Sequence, residues 1–455
     1  MTNPPSFSAL LSTYDVPTPR YTSYPTVPFW DTHSINEAIW KGQVLKAFED
    51  NEGEISLYLH LPFCEALCTY CGCNKRITKN HAVEIPYIQS LLKEWVMYLA
   101  LFEGRKPILK DLHLGGGTPS FFSADNLQLL LTTILGGVSL HPQYEFSIEV
   151  HPNYTNATQL KVLADLGFKR LSVGVQDFDP AVQLMINRMQ TFEQTKAVID
   201  QARAVGFTGI NIDIIYGLPS QTLASVKMTI DYVIQLDPDR IAFYSYAHVP
   251  WKSAGQRRYS EADLPAGNEK RALYEFGRKA LMAFRYKEIG MDHFAKPSDE
   301  LFIAEENGVL HRNFMGYTTT ASKFLLGLGV SSISDTWGAF MQNEKEVEAY
   351  QARIEQNELP LTKGHLLTRE DLVIRQHILN LMCLHQTDIT NLAEEMKEMF
   401  VSRLREFENN ALVEINDFQV KVTTIGRPFV RNIAMCLDQR YWDAVPTQHV
   451  FSKSV

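Results

Sequence analysis

The sequence predicts an α/β chain: a partial (β/α)6 TIM-like barrel with an N-terminal arm before it and a mostly helical C-terminal domain after it. Three observations carry that expectation. Six short β-rich runs alternate with longer stretches of helical periodicity between residues 55 and 246, and strands separated by helices join through right-handed crossovers into a parallel sheet. Each run also ends on or near a polar or special residue, as barrel strands do where their C-terminal ends share one face. Finally, 455 residues with 45% apolar and 21% charged side chains make an ordinary globular composition with room for a large core.

Taken in order, residues 1–50 form the arm and a lead-in helix. The arm's run Pro19-Arg20-Tyr21-Thr22-Ser23-Tyr24-Pro25-Thr26 has no helical or strand period, and its prolines disfavour both. The barrel and its extension are expected over 51–360, with strands at 55–61, 108–114, 144–150, 170–176, 210–216 and 240–246. Helical patterns at 85–102, 157–166, 191–205 and 222–236 lie between them. The strand ends carry Tyr58 and His60, Gly115 to Thr118, Glu149, Gln176, Asp213, and Ser245 with His248. The onset of solvent would explain any one of these; together they point to a binding face. Residues 361–455 read as helices at 369–384 and 389–407, a hairpin over 411–423 and a helix after Gly426, an order resembling a winged helix. Eleven basic against 12 acidic residues there lack the basic footprint of a nucleic-acid binder, so a packing or lid domain is expected.

The whole chain carries 43 basic and 52 acidic residues, a net charge of −9. No uninterrupted apolar run is long enough for a membrane span, and no basic-then-apolar leader opens the sequence. A cytoplasmic protein with no nucleic-acid partner is expected.

Four of the six cysteines, Cys64, Cys68, Cys71 and Cys73, fall within ten residues, while Cys383 and Cys436 lie far away in apolar surroundings. Clustered thiols in a chain that is neither small nor secreted read as metal binding or redox chemistry rather than a disulfide framework. The C-x-x-x-C-x-x-C spacing lets three thiolates bind three irons of a 4Fe-4S cubane and leaves the fourth iron open to a small molecule. A structural zinc site is the competing reading, but such sites pair two separated knuckles, and no second knuckle occurs. Three glycines at 115–117, followed by Thr118 and Pro119, let backbone groups approach a ligand closely. Glu149 can accept hydrogen bonds from ribose hydroxyls or an ammonium, and a mid-strand Asp213 is costly unless partnered.

With Tyr70 just before the third cysteine and a strand just before the loop, the pattern resembles the radical S-adenosylmethionine (SAM) superfamily. Further segments resemble the oxygen-independent coproporphyrinogen III oxidase family nearly end to end. They are Cys73 within CGCNK, the arm's PRYTSYPT, HLGGGTPS (113–120), IEVHP (148–152), VGVQDF (173–178), NIDIIYGLP (211–219), MDHFAKPSDEL (291–301), HRNFMGYTT (311–319) and GRPFVRNIAMCLD near the C-terminus.

The resemblance implies that Cys64, Cys68 and Cys71 ligate a 4Fe-4S cluster and that Cys73 does not. It implies two molecules of S-adenosyl-L-methionine. Tyr58, Gly116, Glu149 and Ile333 would contact the cluster-bound one, and Gly117, Thr118, Gln176, Arg188, Asp213 and Ala247 the second. Arg188 would offer a planar cationic fork to a carboxylate. The implied reaction is anaerobic oxidative decarboxylation of two propionates of coproporphyrinogen III to vinyls, giving protoporphyrinogen IX for haem biosynthesis through a 5′-deoxyadenosyl radical. A monomer served by an electron donor such as flavodoxin or ferredoxin is expected, and no side chain is assigned as catalytic. Arg20, Lys252, Arg257 and Arg258 are cations suited to a substrate with four propionates, but read equally well as solvated surface charge. Two members of the same superfamily, a haem-binding chaperone and a haem-opening methyltransferase, remain as alternatives; Cys73 and the arm speak against the chaperone.

Overall fold

The computed structural model describes residues 5–446 and 450–454. The six runs become β1 (Glu54–Leu61), β2 (Ile108–Gly116), β3 (Ser139–Val150), β4 (Arg170–Gln176), β5 (Gly209–Tyr216) and β6 (Arg240–Ser245). Each pairs in parallel with the next in that order. The barrel is partial, forming the centre of a 12-stranded sheet. Outside β1, Leu325–Leu328 adds in parallel, and Ile333–Asp335, Ala339–Asn343 and Leu361–Leu366 continue antiparallel. Outside β6 lie the antiparallel strands His293–Ala295 and Lys287–Ile289.

Side-chain alternation explains how these strands sit. On β1, Ile55, Leu57, Leu59 and Leu61 are buried and share the main core with Trp40, Phe48, Leu91 and Trp95 of the covering helices. Successive residues on a strand face opposite ways. The same outward apolar face recurs as Leu112 and Leu114, Phe146 and Ile148, Leu171 and Val173, and Ile210 and Ile212. The residues between them, including Asp111, His113, Ser147, Glu149, Ser172, Asn211 and Asp213, line the interior. The lumen is therefore polar along much of its length, not only at the strand ends.

Local signals set the helix starts. Asn156, Thr191 and Thr222 close capping boxes with Gln159, Gln194 and Ser225, opening the helices Ala157–Asp165, Phe192–Val205 and Leu223–Leu236. β3 begins at Ser139 rather than 144, because Ser139 and Leu140 pair with Ile108 and Leu109 before an irregularity in register. In the C-terminal segment the helix Arg369–Leu384 forms as expected. The next helix spans Glu394–Asn409 instead of 389–407, because Gln386–Asp388 pairs as a strand against Gln419–Val422 of the hairpin.

That segment packs on a second core, in which Ile378, Leu381, Phe400, Leu404, Phe429 and Ile433 are buried together with Ile289, Leu301, Leu310 and Tyr317 of the preceding region. The arm is fastened to it. Tyr14 and Tyr21 enter this core, Tyr21 OH donates to Asp438 Oδ2 at 3.0 Å, and Arg431 binds the carbonyls of Thr18 and Pro19. Arg20 points the other way and donates to the Ser245 carbonyl at the end of β6, at 3.2 Å. Among the described residues, no helix is long and apolar enough to cross a membrane.

Candidate active site

β1 runs through Pro62 into a two-residue strand, Phe63–Cys64, which pairs in parallel with Arg76–Ile77 and closes the cysteine loop. The loop's backbone is held from two further sides. Thr69 N–H donates to the Ile186 carbonyl at 2.9 Å, and Asn187 Nδ2 donates to that of Leu67 at 2.7 Å. From the segment after β6, Gln256 Nε2 donates to the Tyr70 carbonyl at 2.9 Å and Ser253 Oγ to that of Cys71 at 3.2 Å. Cys64 is buried, Cys68 and Cys71 are partly buried, and Cys73 is exposed.

All four cysteines line one cavity of about 540 Å³, together with Gly116, Gly117, Thr118, Glu149, Gln176, Arg188 and Asp213. The turn after β2 is strapped to the exit of β1, with Gly117 N–H on the Leu61 carbonyl at 2.9 Å and Thr118 N–H on that of Phe63 at 3.0 Å. A Cβ on Gly117 would sit 2.4 Å from the Pro62 carbonyl oxygen, and Gly116 has φ +118° against the His60 ring. The glycines are thus demanded first by β1, and the turn they permit faces the cavity. Thr118 Oγ1 lies 3.2 Å from Cys64 Sγ.

Arg188 is buried beside the loop; Nη1 donates to Cys68 Sγ at 3.6 Å and Nη2 to the Gly174 carbonyl. Its Nε is buried without a partner. Asp213 accepts from Ser172 Oγ at 2.9 Å and from Asn211 Nδ2 at 2.8 Å. Burial, and then the negative charge of Glu149, push the Asp213 carboxyl up to about 6. Glu149 Oε1 stands 3.3 Å from His113 Nε2, whose Nδ1 is 2.7 Å from Ser147 Oγ. The Tyr58 ring stacks on His113 at 5.9 Å between centroids. Burial lowers His60 to about 4, leaving it neutral at pH 7. Its Nε2 faces the Asn74 carbonyl at 3.0 Å, so that nitrogen carries the proton and Nδ1 accepts from Tyr58 OH at 3.1 Å.

Three expected residues, Tyr58, Ala247 and Ile333, lie outside the wall of this cavity. Ala247 lines a neighbouring pocket, and its carbonyl accepts from Gln256 Nε2 at 3.3 Å. Ile333 sits one strand beyond Leu325–Leu328, beside Gly327, the register partner of Tyr58. Conversely, Glu149, Asp213 and Tyr244 also line a second cavity of about 170 Å³ lower in the lumen, with His113, Ser147, Ser172, Asn211 and His293. Sequence reasoning assigned none of those five. The signal that could have found the first four is the polar residue at every second position of β2 to β5; His293, on the antiparallel strand outside β6, has no such mark.

The donor set fits an iron–sulfur cluster. Three thiols spaced C-x-x-x-C-x-x-C open onto one cavity. The unpartnered Arg188 Nε and the carboxylates of Glu149 and Asp213 are suited to a ligand carrying carboxylate, ammonium and hydroxyl groups.

Comparison with known proteins agrees. Residues 58–233 match the radical SAM superfamily. The oxygen-independent coproporphyrinogen III oxidase of Escherichia coli (strain K12) is 38% identical over 437 residues, covering 94% of each chain. That of Pseudomonas aeruginosa is 36% identical over 463 residues, covering 98% of each. The solved structure of coproporphyrinogen III oxidase (HemN) from Escherichia coli, described as a radical SAM enzyme, superposes with a TM-score of 0.87 at 38% identity, covering 92% of this chain and 97% of that one. Sequence, fold and the cysteine-lined cavity converge, and the chain belongs to the oxygen-independent coproporphyrinogen III oxidase family of radical SAM enzymes.

Proposed function

We propose that this protein decarboxylates two propionate side chains of coproporphyrinogen III to vinyls, yielding protoporphyrinogen IX without molecular oxygen, as a step of haem biosynthesis. The observation that carries the reading is one cavity in which the three loop thiols face the glycine turn, Glu149 and Asp213. Cys64, Cys68 and Cys71 hold the cluster, and Cys73 stays free of it. What the bound cofactors supply is a single electron for cleaving S-adenosylmethionine and, from that cleavage, a 5′-deoxyadenosyl radical able to take a β-hydrogen from a propionate.

The chain's own work is placement. The strapped loop fixes the thiols, and buried Phe63 behind Cys64 keeps that side dry. Tyr58, Gly116, Glu149 and Ile333 position the cluster-bound S-adenosylmethionine. Gly117, Thr118, Gln176, Arg188, Asp213 and Ala247 position a second molecule, with the Arg188 fork on its carboxylate and Asp213 held open by Ser172 and Asn211. The units are residues 1–50, 51–360 and 361–455. The protein acts in the cytoplasm as a monomer, reduced by a flavodoxin- or ferredoxin-type donor.

The test is anaerobic: reconstitute the cluster, supply reductant, S-adenosylmethionine and coproporphyrinogen III, and quantify products by mass spectrometry. Loss of two carbon dioxide units with matching 5′-deoxyadenosine, abolished in Cys64→Ala and retained in Cys73→Ala, is expected. Deoxyadenosine without porphyrin change would move the substrate; neither product from an intact cluster would overturn the reading.

A further inference from the structure

We infer that a rim of positive charge around the cysteine loop is the docking surface for an acidic electron-donor protein, a role that rests on the radical chemistry proposed above. The chain carries a net charge of −9, so a local excess of cations runs against its composition. Three cations, Lys75, Arg76 and Lys79, follow the fourth cysteine with no acidic residue among positions 74–79. Lys75 Nζ donates back to the carbonyls of Cys71 and Cys73 at 3.0 and 3.2 Å, which holds its charge over the loop.

A second segment packs on the other side of the same loop through Ser253 and Gln256 and brings Lys252, Arg257 and Arg258, all exposed, to the rim. Across the loop, Asn74 Nδ2 donates to the Lys345 carbonyl at 3.0 Å, bringing in exposed Lys345. Lys363 completes the group; after burial, the nearby charges of Lys345 and Lys252 lower its ammonium. The opposing carboxylates are fewer. Glu348 pairs with Arg76 at 2.8 Å, Glu346 is exposed beside Lys345, and Glu65 faces His81. Among the described residues, Arg76 is the one rim cation in an ion pair.

The centre of the rim suits electron delivery. Gly72 and Cys73 are exposed at the tip of the loop, so the site reaches the surface where a donor can come close. Leu67 and Ile77 are 37% and 40% exposed beside the cations, apolar contacts that a protein face can cover. An acidic protein is steered to such a surface at low ionic strength. One electron leaves the donor's reduced flavin or iron–sulfur centre and enters the site, and no atom is transferred.

The experiment uses the reconstituted full chain, with Lys79→Glu and Lys345→Glu combined, and two readouts. Equilibrium binding of an acidic flavodoxin is measured at low and high salt, and 5′-deoxyadenosine formation is compared with flavodoxin and with dithionite as reductant. The double variant is expected to bind flavodoxin roughly tenfold more weakly at low salt, and to show a weaker salt dependence than the wild type. Its cluster content and dithionite-driven turnover should match wild type. Lys79→Gln with Lys345→Gln gives the same reading should the reversal impair folding. Unchanged flavodoxin affinity overturns the inference, as does an equal loss with dithionite, a raised KM for coproporphyrinogen III, or tighter binding of a short RNA than of flavodoxin. A wild type that makes no deoxyadenosine with dithionite would instead refute the proposed function, while the binding measurement would still decide the rim.

Discussion

Arg188→Lys tests the assignment of the second S-adenosylmethionine most directly. In the wild type the guanidinium already serves Cys68 Sγ and the Gly174 carbonyl, and its buried Nε has no protein partner. A carboxylate arriving in the cavity finds that planar donor edge preorganised. Lysine keeps the charge but offers a point donor without the fork, so it cannot hold the Gly174 carbonyl and meet the ligand in the same geometry. Losing one charge-assisted hydrogen bond costs about 1.5–3 kcal/mol, which is about 10- to 150-fold in affinity. Anaerobic equilibrium binding of S-adenosylmethionine to the reconstituted protein reads this. Wild type is expected to bind two molecules per chain, and Arg188→Lys to keep one tight class and weaken the other by that factor, at unchanged iron content. Both classes staying within twofold of wild type would refute the assignment, and so would loss of the cluster-bound class alone.

Three further outcomes follow from the geometry. The Asp213 carboxyl, raised to about 6, gains charge as pH climbs from 5 to 7, so affinity for the second S-adenosylmethionine should rise across that window and become flat in Asp213→Asn. Glu94 is fully buried and raised to about 7 from 4.5, first by burial. A carboxyl held protonated by the fold contributes its full stability below about pH 4.5 and loses it as pH rises through about 7, a change on the order of 3 kcal/mol. Glu94→Gln should therefore gain thermal stability relative to wild type between pH 5 and 8, and a constant difference in Tm would count against this. In Gly117→Ala, the Cβ at 2.4 Å from the Pro62 carbonyl forces the turn away from β1. A loss of about 1–3 kcal/mol in denaturant unfolding, together with lowered cluster content, is expected.

The cysteine loop, the glycine turn, the six strands and their capped helices were all legible from residues a few positions apart, because turn chemistry, capping and side-chain period act over that range. Even β3 and the helix Glu394–Asn409 were misplaced mainly at their starts, where the deciding partner was a distant strand. The polar lumen was half visible: Asp111 and His113, Ser147 and Glu149, and Asn211 and Asp213 alternate in plain view. Their joining into one wall depends on parallel registers such as His113 with Ser147 and Ser172 with Asn211. The fastening of the arm to Asp438 and Arg431 spans about four hundred residues and leaves no local mark. The rim also needed folding to appear, since 74–79, 252–258 and Lys345 are brought around the cysteines by bonds from Asn74, Ser253 and Gln256. Local chemistry picked out most of the polar groups that line the cavity. Their arrangement into one cavity and one charged surface arose from long-range pairing, whose free energy comes from burying apolar faces that no short window of sequence contains.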